Sequence, residues 1–411
     1  AQEYGPAELH VLEADELFAS LPQHFRVWMS HGDRVETPPS GFAVLASTED
    51  TPIAAMGDPQ RRRYGLQFHP EVSHTQFGRQ ILQNFLTRVA GLEPSWDLED
   101  FVSRTVQTLR EQVGDRGVML ALSGGVDSSV LAALLHRAIP DQLYAVFVDT
   151  GLLKSDEPER IRRLFGHLRH LTLLDERERF FRVLKGVVDP EEKRKRIGHT
   201  FIEVFQEYAR TLPGHVHFLA QGTLYPDVIE SGQSRGPAEV IKSHHNVGGL
   251  PEEIGFELLE PFRELFKDEV REIGRILGLP QDVLERHPFP GPGFAVRILG
   301  EVTPERVARL QQADRILEEE ARRAGIYSTL WQLFPVLLPV RSVGVMGDRR
   351  TYQDVMVLRA VESTDGMTAR WAYLPESFLE RIARRWTGEV PGINRVVLDI
   401  TSKPPATIEW E

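Results

Sequence analysis

The chain has no cysteine. This removes disulfides, thiolate metal sites and any cysteine nucleophile from these 411 residues. No apolar run approaches the ~18 residues that a membrane helix needs, and no secretory pattern opens the sequence. A cytoplasmic protein is expected. Basic residues are not in excess: 48 Lys and Arg stand against 60 Asp and Glu, for a formal net charge of −12. They are also scattered, which argues against a nucleic-acid binder with a broad basic surface. A nucleotide substrate needs only a local pocket and stays open. What remains, 41% hydrophobic and 26% charged residues, is the composition of a globular chain of two to three domains.

The most informative stretch runs from Val118 to Leu135. Val118 to Leu122 is an apolar run of the kind found in buried parallel strands. Val130 to Leu135 has the stripe of a helix packed back on a sheet. Between them lie Ser123, Gly124, Gly125, Val126, Asp127, Ser128 and Ser129. Two glycines let backbone N–H groups approach an anion without a Cβ in the way. The helix start adds unpaired donors and the positive end of a dipole, and the serines add hydroxyls. Asp127 would repel phosphate unless Mg²⁺ bridges the two. An ordinary strand–turn–helix with Ser128 or Asp127 as N-cap is the plainer alternative. The pattern is not G-x-x-x-x-G-K-[ST], since it has no lysine. It resembles the pyrophosphate loop of the ATP pyrophosphatases, which cleave ATP between the α and β phosphates and put AMP on a substrate oxygen.

Further strands are predicted at Leu143–Val148, Leu171–Leu174, near Phe218, and at Phe256–Leu259. With intervening helices they make a parallel α/β sheet. Asp149, after the second strand, falls near the ligand edge. The charged run Asp189 to Arg196 opens a helix, read either as a solvated face or, through Arg194, as a phosphate grip. Ile241 to Leu250, rich in Gly and hydrogen-bond donors, suits a lid, with Lys242 offering charge to a developing phosphate. His287-Pro-Phe-Pro-Gly-Pro-Gly293 cannot be regular structure and marks a boundary. Beyond it an α+β pattern is expected, with a long helix capped by Thr303. The segment Thr401 to Glu411 is too particular for a fraying end. It reads as a docked tail that touches ligand.

Residues 1 to about 90 read as strands and turns closed by a helix from Phe77 to Ala90. His69 and Glu71 stand two apart in an extended segment and point the same way, so the carboxylate can orient the imidazole as a general base. Tyr64-Gly-Leu-Gln-Phe-His-Pro-Glu71, with Met29-Ser-His-Gly-Asp33, resembles class I glutamine amidotransferases. That family uses a Cys-His-Glu triad, and its cysteine is absent here. The expectation is the back half of a glutaminase domain, unable to hydrolyse glutamine by the family mechanism.

Gln221-Gly-Thr-Leu-Tyr-Pro-Asp227, Lys242-Ser-His-His-Asn-Val-Gly-Gly249, His287 to Gly293, Gly344-Val-Met-Gly-Asp348 and Thr401-Ser-Lys-Pro-Pro-Ala-Thr407 narrow the resemblance to glutamine-hydrolysing GMP synthetases. The resemblance implies three parts. A partial class I glutaminase domain covers residues 1–93. A doubly wound α/β parallel-sheet ATP pyrophosphatase domain covers 94–292. A small α+β dimerisation domain that binds xanthosine monophosphate (XMP) covers 293–411. It also implies the reaction: ATP adenylylates XMP, and ammonia, from glutamine in the full-length enzyme, displaces AMP to give GMP. The implied roles are catalysis for His69, Glu71 and Lys242, ATP and pyrophosphate binding for Ser123 to Ser129, Mg²⁺ binding with the phosphates for Asp127, and XMP binding for Arg194, Asp348, Lys403 and Glu409. A homodimer is implied, with no nucleic acid and no membrane. Two alternatives stay open: another amidating synthetase of the ATP pyrophosphatase type, such as NAD synthetase, and a nucleotide-binding scaffold without turnover.

Overall fold

The computed structural model describes residues 2–72, 74–232, 255–363, 366 and 368–411. They form two compact units, Ala1–Trp96 and Asp97–Glu411.

The first unit is an antiparallel sheet in the order β2-β1-β3-β4-β5. Its strands are β1 (Glu3–Val11), β2 (His24–His31), β3 (Ala43–Ser47), β4 (Ala55–Asp58) and β5 (Arg63–Leu66). Helix α1 (Gly78–Asn84) closes the unit and runs on as a π-helical turn, Phe85–Val89. Alternation sends Leu9, Val11, Phe25, Val27 and Met29 inward to pack on Leu45 and Ile81.

The second unit opens with helix α2 (Leu98–Val113), whose cap, Asp97, accepts from the Asp100 N–H at 2.8 Å. Its parallel sheet has the order β10-β9-β6-β7-β8. The strands are β6 (Gly117–Ala121), β7 (Leu143–Asp149), β8 (His170–Asp175), β9 (Val216–Ala220) and β10 (Glu257–Leu259). They are apolar because both faces are covered. One face packs on α2, α3 (Val126–Ala138) and α8 (Lys267–Ile276). The other packs on α5 (Arg177–Leu184) and α6 (Pro190–Ala209). Helices α4 (Glu157–Phe165), α7 (Tyr225–Gly232) and the short α9 (Gln281–Leu284) complete this part. The chain leaves β6 toward β7 on one side and returns as β9 on the other. The topological switch point therefore lies between β6 and β9, where doubly wound sheets open a crevice at the strands' carboxyl ends.

The boundary expected at 293 falls inside this unit. The core beneath α5 and α6 continues through Phe294, Leu310, Leu317 and Trp386. It takes in helix α10 (Pro304–Arg323), capped by Thr303 Oγ1 on the Arg306 N–H at 3.3 Å, and α11 (Glu376–Glu389). A second sheet follows: β11 (Gln332–Met346) and β12 (Arg349–Glu362) form a long hairpin, β13 (Arg370–Trp371) and β14 (Ile393–Asp399) pair with β12. Sequence pattern alone predicts only the second half of β11, from Val340. Pro335 and Pro339 hide the first half. They are tolerated because β11 is an edge strand, where a missing N–H leaves no partner unmet.

Candidate active site

Gly124 adopts φ +77, and a Cβ there would collide with the Glu157 carboxylate. Only glycine fits, for both reasons. Ser123 and Gly125 face outward while Gly124 is buried. Ser123 Oγ lies 2.9 Å from Ser128 Oγ and accepts from the Gly125 N–H at 3.3 Å. Ser128 Oγ also reaches the Gly125 carbonyl at 3.2 Å. Gly125 is the cap of α3 and offers no side-chain cap, so the first N–H groups of that helix stay free for a ligand. The plain reading, with Ser128 or Asp127 as N-cap, is thereby set aside: both lie inside the helix.

Behind this loop sits an ion cluster that sequence pattern does not suggest. Arg286 donates to the Gly124 carbonyl at 2.9 Å, and Arg160 does so at 3.3 Å. Both guanidiniums pair with Glu157, whose side chain is 3% exposed. These residues come from α4 and from the turn after α9. No local spacing links them to Gly124.

Asp127 Oδ2 is 3.3 Å from Lys267 Nζ. Among the described residues, its Oδ1 is buried without a hydrogen-bond partner, as is Ser129 Oγ. An orphaned carboxylate oxygen beside a phosphate cradle suits a hard cation such as Mg²⁺, held by one carboxylate and by phosphate oxygens. Across the switch point, Gly222 would bring a Cβ to 3.5 Å from that of Asp127, so the loop after β9 lines the same crevice. Asp227 there accepts from the Leu224 N–H at 2.9 Å as a cap. Asp149 Oδ1 accepts from the Gly151 N–H at 2.9 Å, closing the turn after β7. Lys267 was missed because it opens an amphipathic helix and reads as solvated. Its only sequence signal is a lone lysine at the first position of α8, where the dipole disfavours a cation.

The segment 401–411 is docked. Arg359, fully buried, donates to the carbonyls of Thr401 at 2.5 Å and Thr407 at 3.1 Å. Arg297 grips Glu409 at 2.7 and 3.0 Å and lies over the Phe334 ring at 4.0 Å. Gln332 Nε2 adds a bond to Glu409 at 2.9 Å. Lys193 has no exposed side-chain surface and donates to the Ile298 carbonyl at 2.7 Å and to the Glu411 carboxylate. Burial holds the Glu411 carboxyl above the usual range, against the pull of Lys193. Arg194, one residue on, donates to the Glu411 carbonyl. The solvated-face reading of this helix start therefore fails at Lys193, although Arg196 and Glu192 do pair at 2.7 Å. Lys403 donates to the Gly366 carbonyl at 2.8 Å.

Arg194 and Glu409 thus meet through one docked segment that also carries Lys403. Asp348 does not join them. It sits at the tip of the β11–β12 hairpin, whereas Glu409 touches Gln332 at the hairpin's base. The ribbon between is on the order of 40 Å long at strand rise. Lys242 lies outside the described residues.

In the first unit, His69 Nδ1 lies 2.7 Å from Glu71 Oε1, with both side chains about half exposed. Burial pushes the Glu71 carboxyl up, but its backbone bond and His69 together outweigh that and hold it below the usual range.

Family models place the chain in three parts. The class-I glutamine amidotransferase model matches residues 1–89, the NAD synthase model 96–175, and the GMP synthase C-terminal domain model 319–410. The glutamine-hydrolysing GMP synthase of Thermomicrobium roseum is 59% identical over 415 residues, covering 100% of this chain and 78% of the relative. The chain belongs to the glutamine-hydrolysing GMP synthase family. The Symbiobacterium thermophilum member is 58% identical, covering 100% of this chain and 80% of its own length. That of Aquifex aeolicus is 54% identical with the same coverage. The three-part fold expected from sequence, a class I glutaminase part, an ATP pyrophosphatase part and a synthase C-terminal part, is that of the family.

Proposed function

We propose that this chain converts XMP to GMP. The single observation that carries the reading is the glycine loop at the switch point, with an orphaned Asp127 oxygen, in a member of this family. The 2-oxygen of the xanthine base attacks the α-phosphorus of ATP. The bond to the β-phosphate oxygen breaks, and pyrophosphate leaves. Ammonia then attacks C2, and AMP departs with the former base oxygen. A lactam oxygen leaves poorly, whereas AMP leaves well.

In this reading the Gly125 N–H, the first amides of α3 and Ser123 and Ser128 bind the departing pyrophosphate, and Lys267 faces the same charge. Mg²⁺, held by Asp127 and the phosphates, would neutralise charge on the leaving group. Lys242 serves the α-phosphate. Arg194 and Lys403 supply cations to the XMP phosphate. Glu409 spends Oε1 on Arg297 and Gln332, yet Oε2, which accepts only the Arg297 Nε–H among the described residues, keeps a second lone pair for a ribose hydroxyl or base N–H.

Asp348 contributes by dimerisation: the tip of one hairpin completes the nucleotide site of a second copy. The distance along the ribbon supports this. So does the exposed apolar face of Val343, Val345 and Tyr352, which are 59%, 72% and 64% exposed. No described helix is long and apolar enough to cross a membrane, and we place the reaction in the cytoplasm, with the purine nucleotide pool. The deciding experiment supplies ATP, Mg²⁺ and ammonia and follows AMP. Formation that depends on XMP, and not on deamido-NAD or aspartate, supports the reading. ATP binding without any turnover would leave a scaffold instead.

A further inference from the structure

We infer that Arg286 and Glu157 are positioning residues for the pyrophosphate loop, aiming the Gly125 N–H into the site by holding the Gly124 carbonyl from behind. The inference rests on the reading above that this loop receives pyrophosphate. In a trans peptide the C=O and the following N–H point in opposite directions. The Gly124 carbonyl is drawn inward by Arg286 at 2.9 Å and Arg160 at 3.3 Å. The Gly125 N–H must then face outward, where its contact is the exposed Ser123 Oγ at 3.3 Å. Gly124 at φ +77 makes that orientation possible, and Glu157 packs where a Cβ would be.

The backing is rigid because it is buried and closed. Glu157 accepts from Arg286 at 2.7 Å and from Arg160 at 3.1 Å. Arg286 in turn is fixed to the C-terminal part of the unit. The next residue, His287, stacks on Tyr327 with ring centroids 4.0 Å apart and 7° between planes, and its Nε2 lies 2.8 Å from the Tyr327 carbonyl. Arg322 lies over the other partner of that stack, 3.9 Å from the Tyr327 ring centroid. Lys154, just before α4, bonds Asp314 at 2.9 Å and Glu318 at 2.6 Å on α10. The loop's donor is thus set by residues that hold the opposite side of its peptide. Fixed donors stabilise developing charge more than mobile ones, since they need no reorganisation as the bond breaks.

The test uses the purified 411-residue protein and two readouts: binding of inorganic pyrophosphate with Mg²⁺ by calorimetry, and AMP formation from ATP, XMP and ammonia. Arg286→Met is expected to weaken pyrophosphate binding and to lower kcat/KM for ATP by roughly 10–100-fold, the usual cost of removing an outer-shell partner, while KM for XMP stays put. Arg286→Lys keeps the charge but not the fork that spans Gly124 and Glu157 together, so it should recover part of the loss. Glu157→Gln, which preserves shape, should shift the same two quantities in the same direction. It remains decisive if Arg286→Met does not fold. Folded variants with unaltered pyrophosphate affinity and unaltered KM for ATP overturn the inference, even if their Tm falls, because a purely structural role lowers Tm alone. A wild type that binds pyrophosphate but makes no GMP, with variants that lose that binding, upholds the inference and sinks the proposed reaction. A wild type without pyrophosphate affinity sinks both.

Discussion

The His69–Glu71 pair and the glycine loop at the switch point are built in opposite ways. His69 and Glu71 are neighbours in sequence, about half exposed, and held to each other by one bond of 2.7 Å. The loop is also local in sequence, but its shape is imposed by the buried Glu157 and Arg160 and the largely covered Arg286, up to 162 residues away. An exposed pair gains little from its Coulomb attraction in water. A buried cluster of mutually paired charges cannot lose one member without stranding another. The first device therefore depends on whatever else is brought to it, and the second carries its own support.

The largest effect should come from the loop itself. Asp127→Ala removes the carboxylate that faces Lys267 beside the cradle. AMP formation is expected to fall by ~10³-fold, on the scale of losing a main electrostatic stabiliser, while circular dichroism and Tm stay close to wild type. Retained turnover would move the cation site elsewhere. Lys267→Met comes next. Its ammonium faces Asp127 at 3.3 Å, and its loss is expected to cost about 10²-fold in kcat/KM for ATP, with KM for XMP unmoved. A rise in KM for XMP alone would assign Lys267 to the other nucleotide.

A smaller effect belongs to the support rather than the cradle. Burial would raise the Glu318 carboxyl, but the Lys154 charge and hydrogen bond, together with Arg322, bring it down to about 2 from 4.5. Its folded value is depressed, so its contribution is present above pH 4.5 and is lost as pH falls toward about 2. The full shift corresponds to roughly 3–4 kcal/mol at most. Glu318→Gln should therefore be less stable than wild type at pH 7, and the gap in denaturant midpoint should narrow as pH falls from 4.5. A gap independent of pH would mean that Lys154 does not depend on this carboxylate.

The same contrast explains how much could be read in advance. The strand–loop–helix at Val118 to Leu135 was legible because its chemistry is written in adjacent residues, and β6, β7 and β8 lie where their apolar runs place them. So was Thr303 as a helix cap. Glu157, Arg160 and Arg286 were not legible: in sequence each is one charged residue among many on amphipathic helices and turns, and only the fold gathers them. The burial of Lys193 was not legible for a related reason. The residue stands in a run of alternating charge whose period fits a solvated helix, but the docked segment 401–411 buries it. The first half of β11 was hidden by prolines that only an edge strand accepts.

The smallest expected effect is the sharpest test of the comparison. His69→Ala breaks the 2.7 Å bond to Glu71, yet with ammonia supplied it should leave AMP and GMP formation at the wild-type rate. Ammonia bypasses whatever a glutaminase provides, and nothing in the XMP reaction requires this imidazole. The same protein given glutamine instead of ammonia should form no GMP, with or without His69, because a Cys-His-Glu triad needs a thiolate and these 411 residues contain no cysteine. Glutamine-driven turnover that disappears in His69→Ala would show that the exposed pair works with a different nucleophile. A fall in the ammonia-driven rate would show instead that the two units are coupled.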